Sequence, residues 1–185
     1  MTYNFRDAKT SAQSLIHPLL QLGDDLIGIE LGIFQAQNFC KLLQCCPNIS
    51  ILYGVDTFTP YNDEVYGTMT VDEKQANYNK ILSLHNIEYC GEKQKAKVLI
   101  KDTLEAAKNF EDNSFDFIFL DAYLNEIQAK KELEVWYPKL KNGGIYCGHD
   151  FNDKGITKAV LSFREKNNIK NRMSVYDDAW MWYKN

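Results

Sequence analysis

Five apolar runs in this chain read as β-strands, and each closes on a carboxylate. They are LIGIE ending at Glu30, ISILYGVD at Asp56, KVLIKD at Asp102, FDFIFLD at Asp121 and GGIYCGHD at Asp150. Segments with helical spacing lie between them. Ala36, Phe39, Cys40 and Leu43 fall at i, i+3, i+4 and i+7, and Ile156, Ala159, Val160 and Phe163 repeat that spacing. Alternating strand and helix predicts crossover units, a parallel sheet and a doubly wound α/β fold. In such a sheet all five acids share the carboxyl edge, where open α/β sheets bind their ligands. A row of acids suits ribose hydroxyls, an amine, a positive centre or a metal. A cradle for free phosphate needs glycines and basic groups instead.

The remaining elements follow from local signals. Thr70-Val71-Asp72-Glu73 reads as a capping box, with Thr70 as the cap. Behind it, Tyr78, Ile81, Leu82 and His85 predict the inward face of a helix. Ala129, Leu133, Trp136 and Leu140 predict another, stopped by Asn142-Gly143-Gly144. The helix carrying Ile156 and Phe163 is expected to start near Asn152-Asp153, with a short helix after Thr103 and one around Ser11 to Leu22 that Pro18 would kink. RMSVY and AWMWY, separated by Asp177-Asp178, predict a closing antiparallel hairpin. The irregular stretch from Thr57 to Met69 follows a strand end and is a candidate active-site loop, carrying Tyr61 and Tyr66. Tyr61 is its candidate contact to substrate or cofactor.

At 185 residues the chain fits one domain, with a helical segment over 1–24 and a core over 26–183. A net charge of -4 argues against a nucleic-acid partner. Lys93, Lys95 and Lys97 alternate locally and read as a solvated loop. Five cysteines without C-x-x-C spacing signal neither a zinc site nor a disulfide framework. The N-terminal residues lack a signal-peptide layout, and no apolar run approaches the ~18 residues that cross a bilayer. A soluble, cytoplasmic protein without a membrane partner is expected. Trp180 and Trp182, placed in the last strand, are candidates to pair subunits in a homodimer.

ELGIFQA, GVDTF, FDFIFLDA and LKNGGIYCGHDF, in this order, resemble the class I S-adenosylmethionine-dependent methyltransferases. The likeness covers about Leu26 to Tyr183. Within that class the motifs resemble the small O-methyltransferases acting on sugars and antibiotics, and also the catechol and caffeoyl-CoA enzymes. The resemblance implies a Rossmann-like seven-stranded sheet with one antiparallel strand, S-adenosylmethionine as cofactor, a small-molecule acceptor and a divalent cation. A dinucleotide-binding oxidoreductase is the rival fold reading, but G-x-G-x-x-G is missing.

By that resemblance Gly32, Ile33 and Phe34 wrap the methionine end of the cofactor, and Glu30 reaches its amine. Gly32 would let backbone approach the ligand. Where relatives carry a second glycine this chain has Ala36. Asp56 suits a ribose diol, since a carboxylate accepts two hydrogen bonds. Asp102 and Thr103 stand where relatives contact adenine, although Asp102 and Glu105 equally fit a helix cap. Asp121 and Asp150 match cation ligands of the metal-dependent relatives, and His149 is the candidate third. Together they could hold Mg²⁺, or more comfortably Mn²⁺ or Zn²⁺. His149 also reads as a general base beside Asp121, or as a loop tie to Asp150. The sugar-modifying relatives place a catalytic histidine where this chain has Leu124, so Tyr123, His149 or a cation would have to replace it. A non-catalytic cofactor-binding accessory protein is therefore a second functional reading.

Overall fold

The computed structural model describes residues 2–62, 70–122 and 125–185. Expectations attached to Tyr66, Tyr123 and Leu124 lie outside them. In chain order the elements are α1 (Gln13–Leu22), β1 (Leu26–Leu31), α2 (Gln37–Cys45), β2 (Ile49–Asp56), β3 (Tyr61–Asn62) and β4 (Thr70–Val71). Then follow α3 (Glu73–Tyr89), β5 (Ala96–Ile100), α4 (Thr103–Ala107), β6 (Phe115–Leu120), α5 (Glu126–Trp136), β7 (Leu140–Gly148), α6 (Lys154–Lys166), β8 (Ser174–Tyr176) and β9 (Ala179–Tyr183). Seven strands form one sheet in the order β5-β2-β1-β6-β7-β9-β8. The first five are parallel, and β9 runs against both of its neighbours. This is the doubly wound α/β fold with a closing antiparallel strand.

Period-two alternation divides the core into two layers. Phe117, Phe119, Ile145, Cys147 and Met181 face α1 and α2. Ile118, Leu120, Tyr146, Trp180 and Trp182 face α5 and α6. Both faces are covered, so the central strands are continuously apolar rather than alternating. Gly28 sits opposite Phe117 in register, and a Cβ there would lie 2.0 Å from the ring. The aromatic ring occupies the space that a side chain on β1 would need.

Several expectations are corrected. Thr70 pairs in a two-stranded ribbon, and Asp72 caps α3 by accepting from the Gln75 N–H (2.7 Å). The face of α3 carrying Tyr78 and Ile81 points to solvent, whereas Asn79, Ser83 and Asn86 point inward. Leu140 does not extend α5. A 3₁₀ turn over Tyr137–Lys139, with Pro138 inside, ends the helix, and Leu140 opens β7. Asn142-Gly143-Gly144 therefore lie within a strand rather than at a helix stop. Trp180 and Trp182 are each 1% exposed, because β9 lies between β7 and β8 and the sheet ends on β8. They stack on one another at 5.0 Å and are not available to a second subunit. Lys93 pairs with Glu88, and Lys95 with Glu92 (3.3 Å). Among the described residues no helix is long and apolar enough to cross a membrane.

Glu132 on α5 is 2% exposed and accepts from the Thr103 hydroxyl (2.5 Å), fastening α5 to the start of α4. Burial pushes its carboxyl from the ordinary 4.5 up to about 7; hydrogen bonds from Thr103 and Gln128 oppose the shift, and the Asp102 charge adds to it. The folded state holds this proton more tightly than the unfolded chain. Its contribution to stability is complete below about pH 4.5 and is lost as pH rises through about 7. Glu132→Gln keeps an acceptor for Thr103 without the charge. Urea denaturation should find the variant more stable than wild type at pH 8 by ~1–3 kcal/mol, with the gap closing by pH 4.5. A gap independent of pH would refute the assignment.

Candidate active site at the carboxyl edge of the sheet

The parallel ladder runs on past the strand ends. Gly32 N–H donates to the Val55 carbonyl (2.8 Å), Lys101 N–H to Asp56 (3.1 Å), Asp121 N–H to Leu31 (2.8 Å) and His149 N–H to Leu120 (3.0 Å). The residues just beyond each strand are thereby fixed to the neighbouring strand. Above them lies a cavity of about 470 Å³, within the range of small-molecule sites. Glu30, Asp56, Asp121, His149 and Asp150 all line it, so acids distant in sequence share one rim.

The turn after β1 is unusually left-handed, with φ of 86° at Gly32, 45° at Phe34 and 58° at Ala36. At Gly32 a Cβ would meet the Asp121 carbonyl oxygen at 2.3 Å. The glycine is required first by the backbone beyond β6, and only then by any ligand. Ala36 is fully buried in a conformation that costs an L-residue ~1–2 kcal/mol. Ile33 and Phe34 both line the cavity. Asp56 braces this turn, accepting from Phe34 N–H (2.9 Å) on one oxygen and from Phe58 N–H (2.8 Å) on the other. Burial raises its carboxyl against those bonds. A carboxylate offers about four acceptor sites, so a diol can still be accommodated.

Glu30 is 1% exposed, and one of its oxygens is partnered by the Asn38 amide (3.2 Å). Among the described residues its Oε2 is buried without a hydrogen bond. Burial pushes the carboxyl well above the carboxylate range, and the Asp121 charge adds to the shift. A buried, unsatisfied carboxylate oxygen is costly, and a ligand cation would relieve it. Asn38 also accepts from the Ala12 N–H (2.5 Å), joining Glu30 to the start of α1. The N-terminal segment is held beside it by the buried Lys41 ammonium, which donates to the carbonyls of Arg6 (2.9 Å) and Ala8. Lys9, Thr10 and Ser11 thus become a wall of the cavity.

Asp102 serves as the cap of α4. Its Oδ1 accepts from the N–H groups of Leu104 (2.9 Å) and Glu105 (3.2 Å), and it is not among the lining residues. Thr103 is, with its hydroxyl committed to Glu132. Tyr61 lines the cavity from the ribbon and is exposed.

His149 lies among three acids. Its Nδ1 is 3.0 Å from Asp150 and 3.6 Å from Asp121, and its Nε2 is 3.9 Å from Asp178. Hydrogen bonding to Asp121, and then to Asp150, pushes the imidazole up to about 10. Burial pushes Asp121 up to about 6, and His149 pulls it back. The direction of the His149 shift favours the imidazolium at neutral pH. A protonated imidazole has no lone pair, so His149 can accept a hydroxyl proton only after losing its own. Ligand atoms of Asp121, His149 and Asp150 lie within 4.8 Å of one another. Neighbouring ligands on a cation with bonds of about 2.0–2.3 Å stand about 3–3.6 Å apart, and the two separations from His149 Nδ1, 3.0 and 3.6 Å, match that spacing.

Asp178, Asn38 and Glu132 were not anticipated from sequence. Asp178 is visible there only as a turn residue, and its place beside His149 follows from β9 lying next to β7. Its Oδ1 accepts from the Asn152 N–H (2.5 Å), clamping the loop after β7 to the hairpin.

Comparison with known proteins follows the same geometry. Residues 29–151, more than half of the chain, match the family described as a methyltransferase domain. No curated protein matches. Among solved structures, the O-methyltransferase NovP is 15% identical over 92% of this chain and 79% of its own, with a TM-score of 0.65. A Staphylococcus aureus protein described as a candidate caffeoyl-CoA O-methyltransferase is 16% identical over 96% and 85%, with a TM-score of 0.65. Precorrin-6y C5,15-methyltransferase from Geobacter metallireducens is 12% identical over 100% and 94%, again with a TM-score of 0.65. At such identities the likeness establishes the fold, while the family match reaches from β1 across the rim to the loop after β7. The chain belongs to the methyltransferase-domain family and is an S-adenosylmethionine-dependent methyltransferase.

Proposed function

We propose that the protein methylates a hydroxyl oxygen of a small molecule, such as a sugar, as a single unit with its catalytic core over 26–183. The observation that carries the reading is the unsatisfied Oε2 of Glu30, buried at the rim of the cavity. The amine of the cofactor's methionine moiety would supply both the missing donor and the countercharge. Gly32, Ile33 and Phe34 would enclose that moiety, Asp56 would accept from the ribose diol, and Thr103 would face the adenine, with Asp102 capping behind it. Likeness to NovP supports oxygen as the acceptor atom.

The cofactor supplies an electrophilic methyl group on a sulfonium whose positive charge disappears during transfer. Alignment therefore matters more than stabilisation of new charge, and well-oriented reactants can gain about 7–11 kcal/mol. Asp121 and His149, both lining the cavity, would orient the acceptor hydroxyl. A divalent cation, Mg²⁺ or Mn²⁺, would be held by Asp121, His149 and Asp150 and would lower the pKa of that hydroxyl. The net charge of -4 favours a small-molecule partner over nucleic acid, and the protein is proposed to work in the cytoplasm.

Calorimetry with S-adenosylmethionine tests the reading; absence of heat at millimolar ligand overturns it. Glu30→Gln should bind about 10–100-fold more weakly, the loss of one charge-assisted hydrogen bond, while melting at a higher temperature without ligand. Unchanged affinity would remove Glu30 from the site. Mn²⁺ should bind wild type but not Asp121→Ala, and should bind more tightly as pH rises because it displaces the imidazole proton. Equal uptake by both proteins would exclude the proposed ligand. Leu124 favours one rival, an accessory protein that keeps the pocket without turnover. Formation of S-adenosylhomocysteine with a panel of glycosides decides against it, and binding without turnover across the panel decides for it.

A further inference from the structure

The inner face of α3 carries three polar residues beside Ala76 and Ile87: Asn79 is 4% exposed and Asn86 6%, and Ser83 is fully buried. Asn79 Oδ1 accepts from the amides of Gln35 (3.0 Å) and Gln75 (2.9 Å), and Asn86 donates to the Gln35 carbonyl (2.8 Å). The helix is thus fastened to the turn after β1 by hydrogen bonds. Three of its large apolar residues are turned outward, with Tyr78 55%, Ile81 60% and Leu84 41% exposed. At its C-terminal end the patch continues into a ring cluster of Tyr3, His85 and Tyr89, with centroids 4.7–5.6 Å apart. Large apolar side chains grouped on one exposed face, rather than scattered singly, point to an interaction site.

The arrangement of charge along this face indicates what covers it. Lys74, Tyr78, Ile81, His85 and Glu88 are spaced alternately by four and three residues, the seam of a coiled coil. Lys74 precedes Ile81 by seven residues, and Glu88 follows it by seven. We propose that α3 packs antiparallel on α3 of a second copy, across a twofold axis at Ile81. Residues equidistant from Ile81 then meet: Lys74 faces the partner's Glu88, and Tyr78 lies against the partner's Leu84. The face is self-complementary only in this orientation, since a parallel pairing sets lysine on lysine. Glu88 already pairs with Lys93 in its own chain, leaving its second oxygen to the partner.

The cavity stays open in this dimer, because the α3 residues that line it, Ala76 and Asn79, lie on the buried inner face. One helix of 17 residues, about 25 Å long, offers less than the roughly 800 Å² per partner of a standard interface. The association is therefore reversible, with a Kd on the order of micromolar.

Sedimentation velocity of the whole chain from about 1 to about 100 μM tests this. Wild type should pass from monomer to dimer across that range, and Ile81→Asp should remain monomeric. Lys74→Glu and Glu88→Lys should each weaken the dimer by about 3–10-fold, and the two together should restore it, because the pair is exchanged across the axis. The contact of position 88 with Lys93 is altered alike in Glu88→Lys and in the double variant, so comparing those two isolates the exchange across the axis. Circular dichroism and S-adenosylmethionine calorimetry should be unchanged throughout, which separates failure here from failure of the active-site reading. A monomer at every concentration assigns the face to another partner and overturns the proposal. A dimer indifferent to Ile81→Asp, such as one paired through the β8 edge, overturns it equally, as does a charge exchange that fails to restore association.

Discussion

Backbone N–H groups that reach past the strand ends hold the rim of this protein in place. Asp121 is tied to Leu31 and His149 to Leu120, each by the next rung of a parallel ladder. A side chain on a free loop would have to be ordered when ligand arrives, at ~1–2 kcal/mol per residue for backbone alone. Here that ordering is complete on folding, because the rung belongs to the sheet. The same logic explains Gly32: the turn after β1 and the backbone after β6 approach so closely that only glycine fits between them. Neighbouring rim residues are therefore coupled through main chain before any side-chain contact is considered.

Gathering acids at one edge is unfavourable by itself, and the protein tolerates it unevenly. Asp56 is supported by backbone donors and His149 partly neutralises Asp121, whereas Glu30 keeps one oxygen without a partner. Charges left incompletely compensated in a cavity are those a bound ligand can stabilise, so stability is lowered where binding is to occur. Glu132 is a different case. It lies behind the rim, bonded to Thr103, and its carboxyl acts on the cavity only through that hydroxyl.

The strands and their closing acids were readable because a sheet covered on both faces demands continuous apolar runs. The cap of α6 at Asp153 and the hairpin at Asp177-Asp178 were readable for equally local reasons. The failures share one cause, which is that periodicity reports where apolar residues gather and not what they face. On α3 the stripe through Tyr78 and Ile81 faces away from the protomer's own core. Trp180 and Trp182 looked like an edge because β9 comes last in the chain, yet strand order places it inside. Thr70 and Asp72 are both good caps, and pairing of Thr70 with Asn62 decided between them. In the site, the acids were visible one by one, while the partnership of His149 with Asp178 exists only through topology.

The acceptor side shows how far such a fold constrains chemistry. Proteins named for O-methyl transfer and for C5,15-methyl transfer share this architecture at TM-scores of 0.65, so the sheet does not choose the acceptor atom. That choice rests on few groups, and here they are an imidazole and three carboxylates. With Nδ1 between Asp150 and Asp121, the imidazole keeps its proton well above neutral pH. As an imidazolium it would meet an incoming hydroxyl as a donor and not as a base. Under the proposed function a carboxylate would then take that hydroxyl proton, and Asp121, pushed up to about 6, is better matched to the task than an ordinary aspartate. A cation bound by the same residues would reverse these roles, displacing the imidazole proton and acidifying the hydroxyl directly. Asp121 lies between the two flanks of the rim, raising Glu30 by its charge on one side and standing 3.6 Å from the His149 Nδ1 on the other, so under the proposed function it would couple the cofactor side to the acceptor side.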